Sequence, residues 1–160
     1  MFDPGYFEKM RGRTLRVAQV IPEEVFETSP IGHGFSFGDL LRHMVHIERY
    51  MYAENVQGRP SLYDGHDGPR GKAAVLEYVA KLHAEAMTVF RSLDADALQR
   101  PATTPGGATM PAWKWLRAML EHEAHHRGQL YTYLSILNIQ TPPLYGLTSE
   151  EVRDRKGGGQ

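Results

Sequence analysis

Between Pro111 and about Asn138 the sequence contains no internal proline, and Gly128 is its only weak helix former. The stretch therefore reads as one long helix, stopped by Thr141-Pro142-Pro143. A helix turns by about 100° per residue. That places Trp115, Met119, His122, His126, Gln129, Tyr133 and Leu137 within one stripe about 80° wide. The stripe carries large apolar residues and is predicted to face a core. A helix of this kind is stable only when other helices cover that face, so it demands a bundle.

The partners are legible upstream. Asp3-Pro4 reads as an N-cap with proline at the first helical position, and Phe7, Met10, Val17 and Ile21 follow at helical spacing until Pro22. After an irregular segment from Glu23 to Phe35, Ser36 and Asp39 form an acidic relative of a capping box. Leu40, Met44, Ile47 and Met51 then mark a second helix that stops near Gly58. Gly58 to Gly71 is turn-rich and reads as a loop. Leu76, Val79, Leu82, Ala86, Val89, Phe90 and Leu93 define a third helix ending before Asp94, and Pro101 to Thr109 reads as a further loop. Thr148 with Glu151 makes a second capping box for a short terminal helix. No stretch alternates convincingly enough for a strand. The expected fold is all-α, four main helices in one bundle, a single domain over residues 1–160.

Composition narrows the function. The net charge is −1, which offers no basic field for nucleic acid or an anionic membrane surface. No apolar run approaches the roughly 20 residues of a membrane helix. The charged start MFDPGYFEKMRGR lacks the apolar centre of a signal peptide, so a cytoplasmic location is expected. Cysteine is absent, which removes disulfides, thiolate metal ligands and a cysteine nucleophile.

The chemistry concentrates in EHEAHHRGQL, residues 121–130. His122 and His126 sit one turn apart in the middle of the apolar stripe, whereas His125 points about 100° away from His126. Two imidazoles bind a metal weakly, so a third ligand must come from another helix. His43 lies beside Leu40, Met44 and Ile47 on the second helix, while His46 lies toward the flank with Arg42 and Arg49. His43 is the better third ligand. Three neutral imidazoles with an open position suit Zn²⁺, Ni²⁺ or Fe²⁺. His83, near the apolar face of the third helix, has no histidine partner at helical spacing and reads as structural. His33 and His66 lie in glycine-rich loops that could line a cleft mouth. Gln129, one turn beyond His126, is a candidate to hydrogen-bond a metal-bound water. Arg127 and Glu48 are expected to form an inter-helix ion pair, or else to support the metal ligands from behind. Trp113, Trp115 and Tyr133 are expected in the core or a cleft wall, and the TPPLY segment with Tyr145 is expected over the bundle mouth.

Two other metal signatures overlap the same letters. HEAHH fits H-E-x-x-H, with Glu123 as general base, but Gln129 and Thr132 stand where an extended zinc-protease motif has glycine and histidine. Glu123 also points about 100° away from His122, and no edge strand is available to align a peptide. Glu123-Ala-His-His126 is one E-x-x-H element of a carboxylate-bridged di-iron bundle, but the second element that site needs is missing.

Three stretches, LLRHMVHIERYMY (40–52), HEAHHRGQLYTYL (122–134) and TPPLYGLTSEEV (141–152), resemble the DinB/YfiT-like family of the DNA-damage-inducible DinB superfamily. The resemblance spans nearly the whole chain, with H-x-x-x-H-R-G-Q-L its most distinctive part. It implies an up-down four-helix bundle of atypical topology with a short C-terminal helix, often a homodimer. It also implies one divalent ion per chain, bound by one histidine of the second helix and two of the fourth, which here are His43, His122 and His126. Relatives of this type include thiol S-transferases and a thiol-dependent isomerase. The implied function is therefore a metal-dependent transferase that activates a low-molecular-weight thiol cosubstrate against a small-molecule substrate. The alternatives are a non-catalytic metal-binding stress-response protein and a metal-dependent hydrolase.

Overall fold

The computed structural model describes residues 2–147 and 149–157. Helix α1 spans Pro4–Gln19, with the Asp3 carboxylate accepting from the Gly5 N–H at 2.9 Å. Helix α2 spans Phe37–Ile47 and opens on the expected box. The Ser36 hydroxyl accepts from the Asp39 N–H, and the Asp39 carboxylate accepts from the Ser36 N–H. The same helix then widens into a π turn at Glu48–Tyr52 before a last α turn at Ala53–Asn55. Helix α3 spans Lys72–Arg91 and starts after Gly71, whose φ of 85° suits only glycine without strain. A short α4, Ala95–Gln99, precedes β1 (Pro101–Thr103) and β2 (Thr109–Pro111). Helix α5 spans Ala112–Ile136 and α6 spans Ser149–Gly157. Thr148, on which the second capping box was to rest, lies outside the described residues.

The hairpin corrects the sequence reading of residues 101–109 as a plain loop. β1 and β2 pair antiparallel with Ala102 opposite Met110, and only Ala102 of β1 is buried. Three residues per strand are too few to show an alternating pattern. Pro111 itself stays extended, at φ −55° and ψ 140°, so α5 begins one residue later than expected.

The packing order is not the chain order. Going round the bundle, α1 packs against α3, α3 against α2, α2 against α5, and α5 against α1. Consecutive helices α1 and α2 therefore stand diagonally, and the long segment from Val20 to Ser36 makes the crossing. This arrangement sets α2 directly beside α5, whereas a simple up-down ring with the four helices in chain order would place those two diagonally. Helix α1 keeps the place beside α5 that it would have in such a ring, and it carries Arg11 and Thr14 there.

The apolar core forms two clusters. One gathers Phe7, Met10, Ile47, Phe90, Leu116 and Met119, and the other Val17, Phe37, Leu40, Met44, Val79, Leu130 and Leu134. Near the junction of those two sets lie buried polar residues: Arg11 and Thr14 on α1, Glu48 at the π turn, Glu123 on α5. The Arg11 guanidinium lies 2.5 Å from Glu48 Oε2 and 3.0 Å from Glu123 Oε2. Thr14 donates to the other Glu123 oxygen, and His83 Nδ1 lies 2.7 Å from the other Glu48 oxygen. A layer of paired charge thus divides the core.

This layer rotates α5 away from the expected orientation. Leu116, Glu123, Leu130 and Leu134 occupy the centre of its buried face, and Trp115, His122 and Gln129 are only half-buried. Counting apolar residues cannot place a buried glutamate, because its partner Arg11 is on another helix. The stripe carrying the histidines consequently sits at the edge of the core, along the seam with α2.

Candidate metal centre

Along that seam the structure brings His43, His122 and His126 together. His122 Nε2 lies 3.2 Å from His43 Nε2 and 3.0 Å from His126 Nε2, and one ligand atom from each ring falls within 4.8 Å of the others. The register follows from helix geometry: His122 and His126 stack one turn apart on α5, and α2 passes directly across from them.

The outer nitrogens of two rings are held. His126 Nδ1 donates to the Gln129 side-chain carbonyl, which can only accept, so the lone pair of His126 must lie on Nε2. His43 Nδ1 meets the Tyr63 hydroxyl at 2.9 Å. Burial, with neighbouring His126, lowers the His43 pKa to about 4, and burial with His126 and His43 nearby lowers His122 to about 3. Burial lowers His126 as well, against the opposing hydrogen bond to Gln129. At neutral pH all three rings are neutral, the form a metal ligand requires.

Three neutral nitrogens at this spacing could hold a divalent cation. Ligands about 2.05 Å from a tetrahedral zinc lie roughly 3.3 Å apart, a few tenths of an ångström from the two distances that His122 Nε2 makes to His43 and His126. Without a cation, crowded lone pairs face one another with one proton at most between each pair. Among the described residues no further His, Cys, Asp or Glu joins the group. The outer wall consists of Phe35, whose ring stands 5.2 Å from His43, with Tyr63 and His66.

The other histidines do not join this group. His125 is exposed. His46 is buried, not at a flank: its Nδ1 meets the Gly65 carbonyl and its Nε2 the Tyr78 hydroxyl, because the 58–71 loop covers it. His83 belongs to the charged layer. His66 lies beside Phe35 near the cluster, as a cleft-mouth residue would, whereas the His33 carbonyl accepts from the Ser29 hydroxyl.

Several sequence-based assignments change. Glu48 pairs with Arg11 and His83, not with Arg127, which instead reaches the Met10 carbonyl and the Tyr145 hydroxyl. Glu123 is 2% exposed and its carboxylate is engaged by Arg11 and Thr14, which leaves it unable to serve as the base of an H-E-x-x-H site. The TPPLY segment packs beside Arg127, Gly128 and Tyr131, the side of α5 opposite the histidines, and not over their opening. Tyr63 was missed altogether. It lies in the SLYDGHDG loop, where nothing in the sequence shows that it folds back onto α2.

Comparison with known proteins agrees with the fold. A DinB-like protein from Bacillus subtilis, YjoA, superposes with a TM-score of 0.73 at 17% identity, covering 88% of this chain and 96% of that one. YfiT from Bacillus subtilis, described as a probable metal-dependent hydrolase with an unusual four-helix bundle topology, gives 0.63 at 14% identity over 85% of this chain and 87% of its own. A mycothiol-dependent maleylpyruvate isomerase gives 0.52 at 17% identity, with 81% of this chain covering 61% of that enzyme. A search of the curated proteins gave no match. The family model of the DinB superfamily matches residues 6–130, most of the chain and all four bundle helices in whole or in part, and the chain therefore belongs to the DinB superfamily.

Proposed function

We propose that His43, His122 and His126 bind one divalent cation and that the site catalyses thiol-dependent group transfer to a small electrophilic substrate. The observation that carries this reading is the convergence of three neutral imidazole nitrogens with no fourth protein ligand among the described residues. A closed structural site takes four protein ligands, and an open one admits an exchangeable molecule. When bound, the ion acts as a Lewis acid that lowers the pKa of a coordinated thiol or water toward neutrality. The absence of cysteine fits a sulfur nucleophile that arrives with a cosubstrate. Gln129 and Tyr63 act as positioning residues, each holding the outer nitrogen of one ligand so that Nε2 faces the ion. Phe35, Tyr63 and His66 shield one side and leave a substrate to enter past them.

A hydrolytic reading of the same centre rests on the likeness to YfiT. The two are separated by loading purified protein with Zn²⁺, Ni²⁺ or Fe²⁺ and offering a panel of low-molecular-weight thiols with an electrophilic probe, beside activated esters with no thiol. Metal-dependent thioether formation supports the transferase. Ester cleavage without thiol consumption assigns the hydrolase instead. Absence of both, with the ion bound and a full protein coordination sphere, leaves a structural metal.

A further inference from the structure

Three arginines are deeply buried among the described residues, and two of them are paired in the same way. Arg11 contacts Glu48 and Glu123, and Arg42 contacts Glu27 and Asp39. Arg127 is 6% exposed and departs from this pattern. Its guanidinium donates to the Met10 carbonyl at 3.5 Å and to the Tyr145 hydroxyl at 3.3 Å, both neutral and both long. No described carboxylate lies within ion-pair distance of it. A buried cation without a counter-ion is costly, and a guanidinium held in place is the usual means of binding a carboxylate by two parallel hydrogen bonds.

Arg127 lines a cleft of about 450 Å³ between α5 and the segment 141–147, a volume within the range of small-molecule sites. Tyr131, Pro143 and Leu144 supply apolar wall, and the segment is fixed in place where Tyr131 donates to the Pro142 carbonyl at 2.6 Å. Two more cations border it from α1. Arg13 stacks on the Tyr145 ring at 4.7 Å, and Arg16 donates to the Leu144 carbonyl. Neither has a described carboxylate partner, and the residues lining the cleft include no acid.

We infer that this cleft is a second ligand site, separate from the histidine cluster, that binds a small molecule with a carboxylate on an apolar body. The carboxylate engages Arg127, displacing its weak bond to Tyr145, and the body lies against Tyr131 and Leu144. Arg13 and Arg16 attract the anion from outside.

The test titrates the protein as purified with benzoate, with benzamide as its neutral counterpart and with inorganic phosphate as an anion lacking an apolar body, followed by amide chemical shifts. Benzoate is expected to bind in the millimolar range, to move Gly128, Tyr131 and Tyr145, and to exceed benzamide and phosphate by about tenfold. Arg127→Lys should weaken benzoate about tenfold without altering metal content. Should that variant fail to fold, the surface double variant Arg13→Gln/Arg16→Gln supplies the same test with a smaller, salt-dependent loss. Equal binding of benzoate and benzamide, phosphate binding as tightly as benzoate, shifts confined to His43, His122 and His126, or no saturable binding would each overturn the inference. None of these outcomes depends on whether the histidine cluster is catalytic.

Discussion

Replacing Arg11 by methionine tests the charged layer directly. Methionine fills a similar volume but removes the one cation that contacts both Glu48 and Glu123. All three side chains are at most 2% exposed, at 2.5 and 3.0 Å from the guanidinium. The expected loss comes mainly from two carboxylates left buried without a counter-ion. Breaking one buried pair costs about 3–5 kcal/mol. For a chain of this size that corresponds to a fall in Tm of roughly 6–20 °C. The proper assay is urea unfolding by circular dichroism, read as the shift in midpoint at constant slope. The triple variant Arg11→Met/Glu48→Gln/Glu123→Gln should recover most of the loss, because it removes the charges along with their partner. An Arg11→Met protein within about 1 kcal/mol of the parent would refute the reasoning, since that is the scale of an exposed pair.

Other consequences concern the supports of the site. Tyr63→Phe removes the hydroxyl from His43 Nδ1 and should weaken metal affinity about 10–100-fold, measured by competition with a chromogenic chelator, with little change in unfolding midpoint. Asp39 is partly buried, which disfavours its charge, but the Ser36 N–H and hydroxyl and the Arg42 guanidinium outweigh burial and hold its pKa at about 2 against an ordinary 3.8. A lowered carboxyl pKa stabilises the fold fully above the ordinary value and loses that contribution as pH falls through the folded one. Asp39→Asn should therefore be less stable at pH 7, and its stability should depend less on pH between about 4 and 2, as acid titrations of the midpoint would show.

Much of the architecture is legible in the sequence because local signals and the global fold agree. The Ser36–Asp39 box, the Asp3-Pro4 start and the proline-free run before Thr141 are each decided by neighbours in the chain. His122 and His126 lie within one turn, so helix geometry brings them together, and His43 follows once α2 is set beside α5. The charged layer was harder to read, although Arg11 falls in phase with Phe7, Met10 and Val17, and Glu123 with Met119 and Leu130. A charge inside an apolar stripe is the signal, but its interpretation needs the partner helix. The loop contacts left no signal of that kind: Tyr63 on His43, Gly65 on His46 and Tyr145 on Arg127 depend on where irregular chain folds back.

The central claim is that three histidines bind one ion and the fourth nearby does not. Metal analysis of untagged protein by mass spectrometry, made in parallel on His43→Ala, His122→Ala, His126→Ala and His125→Ala, tests it most directly. The account predicts one divalent ion per chain in the parent and in His125→Ala, and a loss of the ion in the other three. A metal-free parent, or equal loss in all four variants, would contradict it.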